Sequence, residues 1–356
     1  MIHNFNPGPS ALPGEVLQSI QAEIVNFQHI GYSLLEASHR SSVYQDVHNH
    51  TLKLLRNILA VPSDMEILLL PGGASLQFAM IPLNFTHDRG AAFIISGAWS
   101  KKAHAEAQKA TSGIKALWDG SSSNFTSLPS HISEKQVYNY IHITSNETIH
   151  GVQWKEYPHT QSPLVVDMSS DIGTSPIQWS HIDCAYAGAQ KNLGVAGVTV
   201  LIIRKDFLDM AKQDLPSYLS YRVHAEHNSL YNTPPVYAIW VMEKVLSWAL
   251  ENGGINTIQS KNREKSSLVY TTIDRYHDIY RLHPSVNVRS TISVVFTLPD
   301  QNLENHFLNL AQKEQFIGLR GHRSIGGIRI SLYSHVLLSS VKALCQFMEH
   351  FAKTLA

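Results

Sequence analysis

The segment at residues 185–194 places a single lysine, Lys191, among small uncharged residues directly after an apolar run. If this stretch is buried, the Lys191 ammonium has lost solvation and has no charged neighbour in the sequence. Desolvation lowers the pKa of an amine, and a lysine with a lowered pKa suits covalent bonding to a carbonyl carbon. The alternative is a surface lysine in a glycine-rich loop, and the spacing alone favours that alternative.

A second candidate is Asp167, which ends the apolar run at residues 164–166. A buried carboxylate must be paired, because an unpaired charge in a protein interior is very costly. Asp167 therefore has three interpretations: a metal ligand, a structural ion-pair partner, or the partner of a cofactor's protonated pyridine nitrogen. Taken alone, the position is most typical of a structural ion pair.

Two weaker signals precede Asp167. The sequence LPGGAS at residues 70–75 has glycines before a predicted helix, where backbone N–H groups can converge on a phosphate, although no GK[ST] follows. Trp99 follows another apolar run, and a tryptophan there is more often core than a stacking surface. Together the four features are the parts needed to hold pyridoxal 5′-phosphate (PLP).

Strand-like runs and helical patterns must position these residues. The runs lie at 65–70, 91–95, 140–143, 164–166, 184–187 and 198–203, and helical patterns at 74–82 and 99–110. This alternation predicts an α/β fold with a mostly parallel sheet covered by helices on both faces, in which ligands bind beyond the carboxyl ends of the strands.

The order of helical and strand-like patterns changes after residue 254. Helical patterns at 255–276, 303–315 and 336–354, with strand-like runs at 286–298 and 328–332, predict a smaller α+β domain. We expect a large domain at residues 16–254 and a small domain formed by 1–15 and 255–356.

The composition excludes several classes of protein. Of 356 residues, 44% are hydrophobic and 16% charged, so the chain can bury a core, and its 28 basic and 28 acidic residues cancel. A neutral total argues against partners bound by bulk charge, such as nucleic acid or anionic membranes. Two cysteines, scattered histidines and the absence of an apolar run of membrane length predict no metal centre, no membrane span and a cytoplasmic location.

Nine motifs, spread nearly end to end, resemble the phosphoserine aminotransferase family, in the class V branch of the fold-type-I PLP enzymes. They are FNPGPSALP at 5–13, SHR at 38–40, PGGAS at 71–75, GAWS at 97–100, NET at 146–148, VDMSSD at 166–171, YAGAQKN at 186–192, YNTPP at 231–235 and GHRSIGGIR at 321–329.

The resemblance implies a role for each matching residue. Lys191 corresponds to the lysine that bonds to PLP, and Asp167 to the partner of the ring nitrogen. Further cofactor contacts are implied for Ala74, Ser75, Trp99, Thr148 and Gln190 and, across a homodimer interface, for Asn232 and Thr233. For the substrate, the resemblance implies an α-carboxylate grip at Arg40 and a phosphate pocket made by His39, His322, Arg323 and Arg329.

The implied reaction is reversible amino transfer between 3-phosphohydroxypyruvate with glutamate and O-phosphoserine with 2-oxoglutarate, in serine biosynthesis. A second implied substrate is 3-hydroxy-2-oxo-4-phosphooxybutanoate, aminated to 4-phosphohydroxythreonine in pyridoxine biosynthesis. Alternatives are another class V enzyme, such as an alanine–glyoxylate-type aminotransferase or a cysteine desulfurase, and a dimer without turnover. Neither Cys184 nor Cys345 has the loop setting of a desulfurase nucleophile.

The chain departs from the family pattern at four places. Some members carry an arginine beside the glycine loop, where this chain has Ala74 and Ser75. The others are TSP at 174–176, Val195 and Pro7. These departures bear on substrate affinity and not on the class of reaction.

Overall fold

The computed structural model describes residues 2–355, which form ten α-helices and fourteen strands, most of the strands short. The strands are β1 (His3–Asn4), β2 (Met65–Pro71), β3 (Ala91–Ile95), β4 (Ile114–Asp119), β5 (Tyr140–Thr144), β6 (Asn146–Glu147), β7 (Val152–Gln153), β8 (Leu164–Asp167), β9 (Cys184–Gly188), β10 (Val198–Arg204), β11 (Arg281–Leu282), β12 (Ser293–Thr297), β13 (Phe316–Ile317) and β14 (Ile328–Ser331). The helices are α1 (Gly14–Glu23), α2 (Ser42–Ile58), α3 (Ala74–Phe85), α4 (Ala98–Ala110), α5 (Lys205–Leu208), α6 (Tyr221–Glu226), α7 (Val236–Glu251), α8 (Gly254–Arg275), α9 (Gln301–Lys313) and α10 (Leu338–Lys353).

A seven-stranded sheet with the order β2-β10-β9-β8-β5-β3-β4 is the centre of the fold. The pairs from β9 to β4 are parallel. The central strands β3, β5 and β9 are mostly apolar and are buried along their whole length, because helices cover both sides. The predicted α/β class with a mostly parallel sheet is confirmed.

Three details differ from the sequence prediction. β10 is antiparallel to both of its neighbours, since the short connection after β9 holds no crossover helix. The edge strand β4 carries exposed residues and gave no apolar run. The strand expected at 286–298 is wrong in its first half: Val286–Val288 is a single 3₁₀ turn, and Ser290 Oγ accepts the N–H groups of Ile292 and Ser293.

The C-terminal part builds a second sheet, β11-β12-β14, packed with α8, α9 and α10. The N-terminal β1 pairs with β13, and Phe5 belongs to the apolar core of this part. Three other core clusters lie among residues 16–258. The boundaries 1–15, 16–254 and 255–356 stay a prediction. Among residues 2–355, no helix has the length and apolar character needed to cross a membrane.

Candidate active site

A cavity of about 310 Å³ opens at the carboxyl ends of β5 and β8. Nine of the predicted site residues line it: Ala74, Ser75, Trp99, Thr148, Asp167, Gln190, Lys191, His322 and Arg329. The position follows from topology, because the carboxyl ends of parallel strands meet at one edge of the sheet.

Asp167 is the last residue of β8, and its side chain is buried. Its Oδ1 accepts the backbone N–H of Ser169 at 2.9 Å. Burial raises the pKa of the Asp167 carboxyl, while the Ser169 contacts, the Lys191 charge and the Tyr186 hydroxyl act in the opposite direction. The carboxylate therefore lies in a site that stabilises its charged form only in part and leaves room for a cationic partner.

Lys191 follows β9 and is partly buried at the cavity wall. Burial lowers the pKa of its ammonium, Asp167 opposes that shift, and the positive charge of Arg329 adds to it. Lys191 Nζ lies 5.7 Å from the ring centroid of Trp99. Lys191 is therefore not a surface lysine in a glycine-rich loop. Its position at the cavity wall favours a reactive amine.

Trp99 is held at both ends. Its Nε1 donates a hydrogen bond to Thr148 Oγ1 at 2.9 Å, and its backbone N–H donates to Glu147 Oε2 at 3.0 Å. Glu147 is fully buried and also accepts the N–H and hydroxyl of Ser100 at the start of α4. At Gly97 a Cβ would lie 2.5 Å from Glu147 Cδ, so glycine is required there. Sequence reasoning gave Glu147 no role, although it lies beside Thr148 in the NET motif.

The glycine loop presents the start of α3 to the cavity. Gly73, Ala74 and Ser75 line the cavity, and no side chain caps the first turn of α3. The N–H groups at a helix N-terminus are unpaired within the helix and favour an anion. Gln190 lines the cavity too.

Arg329 lies on β14 and is buried, and its Nε has no hydrogen-bond partner among the described residues. No acidic residue within 2–355 forms an ion pair with it. Its neighbour in the cavity is His322, whose pKa is lowered by burial and by the charges of Arg329 and Arg323. A buried arginine without an acidic partner indicates an anionic ligand.

The other five predicted residues do not line this cavity. Arg40, Arg323, Asn232 and Thr233 are exposed, and His39 is partly exposed. His39 Nδ1 and Thr233 Oγ1 are 3.3 Å apart, so the SHR and YNTPP motifs meet on the surface. Within one chain the structure does not bring Arg40 to Lys191.

The remaining lining residues were not named individually as site residues from the sequence, although Gly73 belongs to the glycine loop expected to hold a phosphate. They are Pro7, Gly8, Gly73, Phe78, Thr144, Asn146, Ser169 and Ser170. Thr144 is the last residue of β5, and Ser169 and Ser170 follow β8, so the strand-end rule could have found them. No cluster of three or more metal-ligating side chains occurs in the described part of the chain.

Comparisons with known proteins agree with this geometry. The family model Aminotransferase class-V matches residues 2–344. The chain is similar to the phosphoserine aminotransferases of Bacillus subtilis strain 168 (43% identical, 98% of this chain and 97% of the relative) and of Shouchella clausii strain KSM-K16 (46%, 98% and 96%).

Among solved structures, phosphoserine aminotransferase from Bacillus circulans subsp. alkalophilus superimposes with a TM-score of 0.97 at 43% identity, covering 100% of this chain and 99% of that one. An aspartate aminotransferase from Thermus thermophilus, 17% identical with a TM-score of 0.77 over 99% of both chains, shares the fold. The chain thus belongs to the class-V aminotransferases, a family of PLP-dependent transaminases, and within them to the phosphoserine aminotransferase family.

Proposed function

We propose that this chain catalyses reversible amino transfer between 3-phosphohydroxypyruvate with glutamate and O-phosphoserine with 2-oxoglutarate. The observation that carries the proposal is one cavity that combines Lys191, Asp167 and the unpaired Arg329. The names of the curated relatives support the phosphorylated substrate. The expected 4-phosphohydroxythreonine reaction and the cytoplasmic location stay predictions.

The residues present fit PLP. Asp167 is a buried carboxylate that lacks an ion-pair partner within hydrogen-bond distance among residues 2–355, and it suits a protonated ring nitrogen. Trp99 offers a fixed aromatic face, and the start of α3 with Ser75 suits the phosphate. When bound, PLP supplies an electron sink for the negative charge that forms at the substrate Cα.

The chain's own residues would carry the proton transfers. Lys191 Nζ, with its pKa lowered by burial, is the general base that takes the proton from the substrate Cα and returns it as general acid. Arg329 favours the neutral amine at Lys191, while Asp167 limits that effect.

We propose that Arg329, and not Arg40 as the resemblance implies, binds the α-carboxylate. The α-carboxylate is attached to the carbon that loses its proton to Lys191, so its partner must lie near Lys191. Arg329 lines the same cavity and its charge acts on Lys191, whereas Arg40 lies on the surface. A guanidinium can bind the carboxylate through two parallel N–H bonds.

We propose a homodimer in which the surface motifs complete the cavity of the partner. Asn232 and Thr233 would reach the partner's cofactor phosphate, and His39 lies against Thr233. His39 and Arg40 of one chain would then face the phosphate end of the substrate in the other chain's cavity. The chain that holds this substrate would contribute its own His322 and Arg323. Support comes from exposed apolar residues beside these motifs in sequence: Tyr32, Leu35, Tyr231 and Tyr237.

Two measurements test the proposal. After borohydride reduction of the protein with PLP, peptide mapping should find the phosphopyridoxyl group on Lys191. Lys265 is the internal control, because its pKa is also lowered by burial, to about 7, but it binds backbone carbonyls outside the cavity. With glutamate as donor, 3-phosphohydroxypyruvate should be preferred to pyruvate, glyoxylate and oxaloacetate. Label at Lys265, or no preference for the phosphorylated acceptor, would contradict it.

A further inference from the structure

Asp167 shares one face of the central sheet with three polar side chains, those of Tyr186, Thr144 and His142. In the parallel pair β8·β9, Asp167 lies opposite Tyr186. In the pair β5·β8, Thr144 lies opposite Asp167, and His142 comes two residues earlier on the same strand. Because side chains alternate along a strand, His142, Asp167 and Tyr186 point to one face.

His142 and Tyr186 form a buried pair. His142 Nε2 and the Tyr186 hydroxyl are 2.8 Å apart, and both side chains are buried. The His142 ring also stacks on Phe93, with centroids 4.9 Å apart and an interplanar angle of 26°. Packing and the hydrogen bond therefore fix the orientation of the imidazole.

The hydrogen bond has a preferred direction. His142 Nδ1 is buried without a hydrogen-bond partner. A neutral imidazole carries one N–H, and burying an unpaired donor is costly, so the proton belongs on Nε2. His142 Nε2–H then donates to the Tyr186 oxygen, so the single hydroxyl proton of Tyr186 is not used in this bond and is left for another acceptor.

We propose that His142 and Tyr186 are positioning residues that form a one-way hydrogen-bond relay, His142 Nε2–H to Tyr186 O–H to the Asp167 carboxylate. This rests on the proposed function, in which Asp167 holds the ring nitrogen of PLP protonated. The relay supplies a hydrogen-bond donor to Asp167 from the protein interior. The side of the carboxylate that faces the cavity then remains available to the cofactor.

The relay stabilises the charged form of Asp167 without adding a charge. The Tyr186 hydroxyl lowers the pKa of Asp167 against the larger effect of burial. Burial lowers the pKa of His142 to about 3, so the imidazole stays neutral and does not compete with the ring nitrogen for Asp167. Tyr186 itself stays protonated, because burial and the Asp167 charge raise its pKa.

The test is Tyr186→Phe, with Tyr140→Phe as the matched control. Tyr140 is another fully buried tyrosine, on strand β5, and its hydroxyl has no hydrogen-bond partner among residues 2–355. In holoenzyme loaded with PLP that is ¹⁵N-labelled in the ring, Tyr186→Phe should shift the ring nitrogen signal toward the unprotonated form. The rate of the glutamate half-reaction should fall about tenfold, the size of one lost hydrogen bond to a charged group, with KM for glutamate within about twofold. Tyr140→Phe should change none of these.

The wild-type protein provides a second test that needs no variant. In protein labelled with ¹⁵N-histidine, the NMR signals of His142 should show a protonated Nε2 and an unprotonated Nδ1 between pH 6 and 9. A proton on Nδ1, or a Tyr186→Phe spectrum identical to that of Tyr140→Phe, would overturn the relay. Failure of the proposed function is distinguishable, because the wild-type protein would then not hold PLP at Lys191.

Discussion

The indole Nε1 of Trp99 donates a hydrogen bond to Thr148 Oγ1 at 2.9 Å. The residue before Thr148, Glu147, accepts the backbone N–H of the same tryptophan. Two consecutive residues of the NET motif therefore determine both the position of the Trp99 backbone and the rotation of its ring. A ring that stacks on a flat cofactor is useful only if this rotation is fixed.

Thr148→Val should weaken the binding of PLP. Valine keeps the shape of the side chain and removes the acceptor for Trp99 Nε1, and one such neutral bond is worth about 1 kcal/mol, or about fivefold in affinity. The measurement is titration of the apoprotein with PLP by tryptophan fluorescence. Thr272→Val, which removes a hydroxyl bond to Leu268 O within α8, should leave the affinity unchanged.

Asp167→Asn should retain PLP but lose most of its turnover. The amide is isosteric, yet it lacks the negative charge that keeps the ring nitrogen protonated, so the electron sink is weaker. We expect a fall in kcat of at least about 100-fold, the effect of losing roughly 3 kcal/mol of transition-state stabilisation. Single-turnover absorbance with glutamate measures it, and near-normal rates would refute the role.

Arg329→Ala should damage both half-reactions about equally, because glutamate and phosphoserine present the same α-carboxylate. Arg40→Ala should damage the phosphoserine half-reaction more, since glutamate has no phosphate. A charge-assisted hydrogen bond is worth about 1.5–3 kcal/mol, so losses of about 10- to 150-fold in kcat/KM are expected. The reverse pattern would restore the assignment of Arg40 to the α-carboxylate.

Mixed dimers should show that Arg40 acts in the partner's cavity. Lys191→Ala and Arg40→Ala are each expected to have little activity with phosphoserine. After the two are unfolded together and refolded at equal amounts, half of the dimers are hybrids, and each hybrid has one intact site. Activity should therefore rise to about one quarter of the wild-type value. If Arg40 serves its own chain's cavity, or the protein is a monomer, the mixture gains nothing.

His335→Gln should reduce the acid sensitivity of the apoprotein. His335 is buried, its Nε2 lies 3.0 Å from Asn192 O, and burial lowers its pKa to about 4. Between pH 6.5 and about 4 the unfolded chain therefore binds a proton that the folded chain does not, and His335 makes stability fall as the pH falls. The variant has no imidazole at position 335 and takes up no such proton on unfolding. In this pH range the difference in unfolding free energy between variant and wild type should therefore change by ~1 kcal/mol per pH unit, measured by urea unfolding.

The expected pH dependence is that of the difference in unfolding free energy between the variant and the wild-type protein. Other buried groups titrate in both proteins and cancel in the difference. A difference in unfolding free energy that is constant from pH 7 to 4.5 would show that His335 is protonated alike in both states.

Sequence reasoning located the cavity because its signals were local. Asp167 and Lys191 follow apolar runs, and strand ends converge at one edge of a parallel sheet. It could not place Pro7 and Gly8 against Lys191, because no local pattern connects residues so distant in the chain. The reversed direction of β10 was equally hidden, since an apolar run carries no information on strand direction.

The arginines show a second limit. Arg40 and Arg329 are the same residue type in equally specific motifs, and only the structure distinguishes a buried guanidinium in the cavity from an exposed one. Glu147 was missed for a related reason. Its role is to accept N–H groups of α4, and backbone contacts of this kind leave no mark in composition or spacing.

The N-terminal segment has a consequence for the order of folding. β1 pairs with β13 near the other end of the chain, the Ser10 N–H donates to Gln190 O at 2.9 Å, and Ser10 Oγ donates to Lys191 O. One wall of the cavity is thus made by residues that precede the central sheet in the chain, whereas their strand partner follows that sheet. Contacts this distant in sequence form late. The strands that position Asp167 and Trp99 lie between these two segments, so the central sheet can form before β1 has a strand partner, which becomes available only once Phe316 has been synthesised.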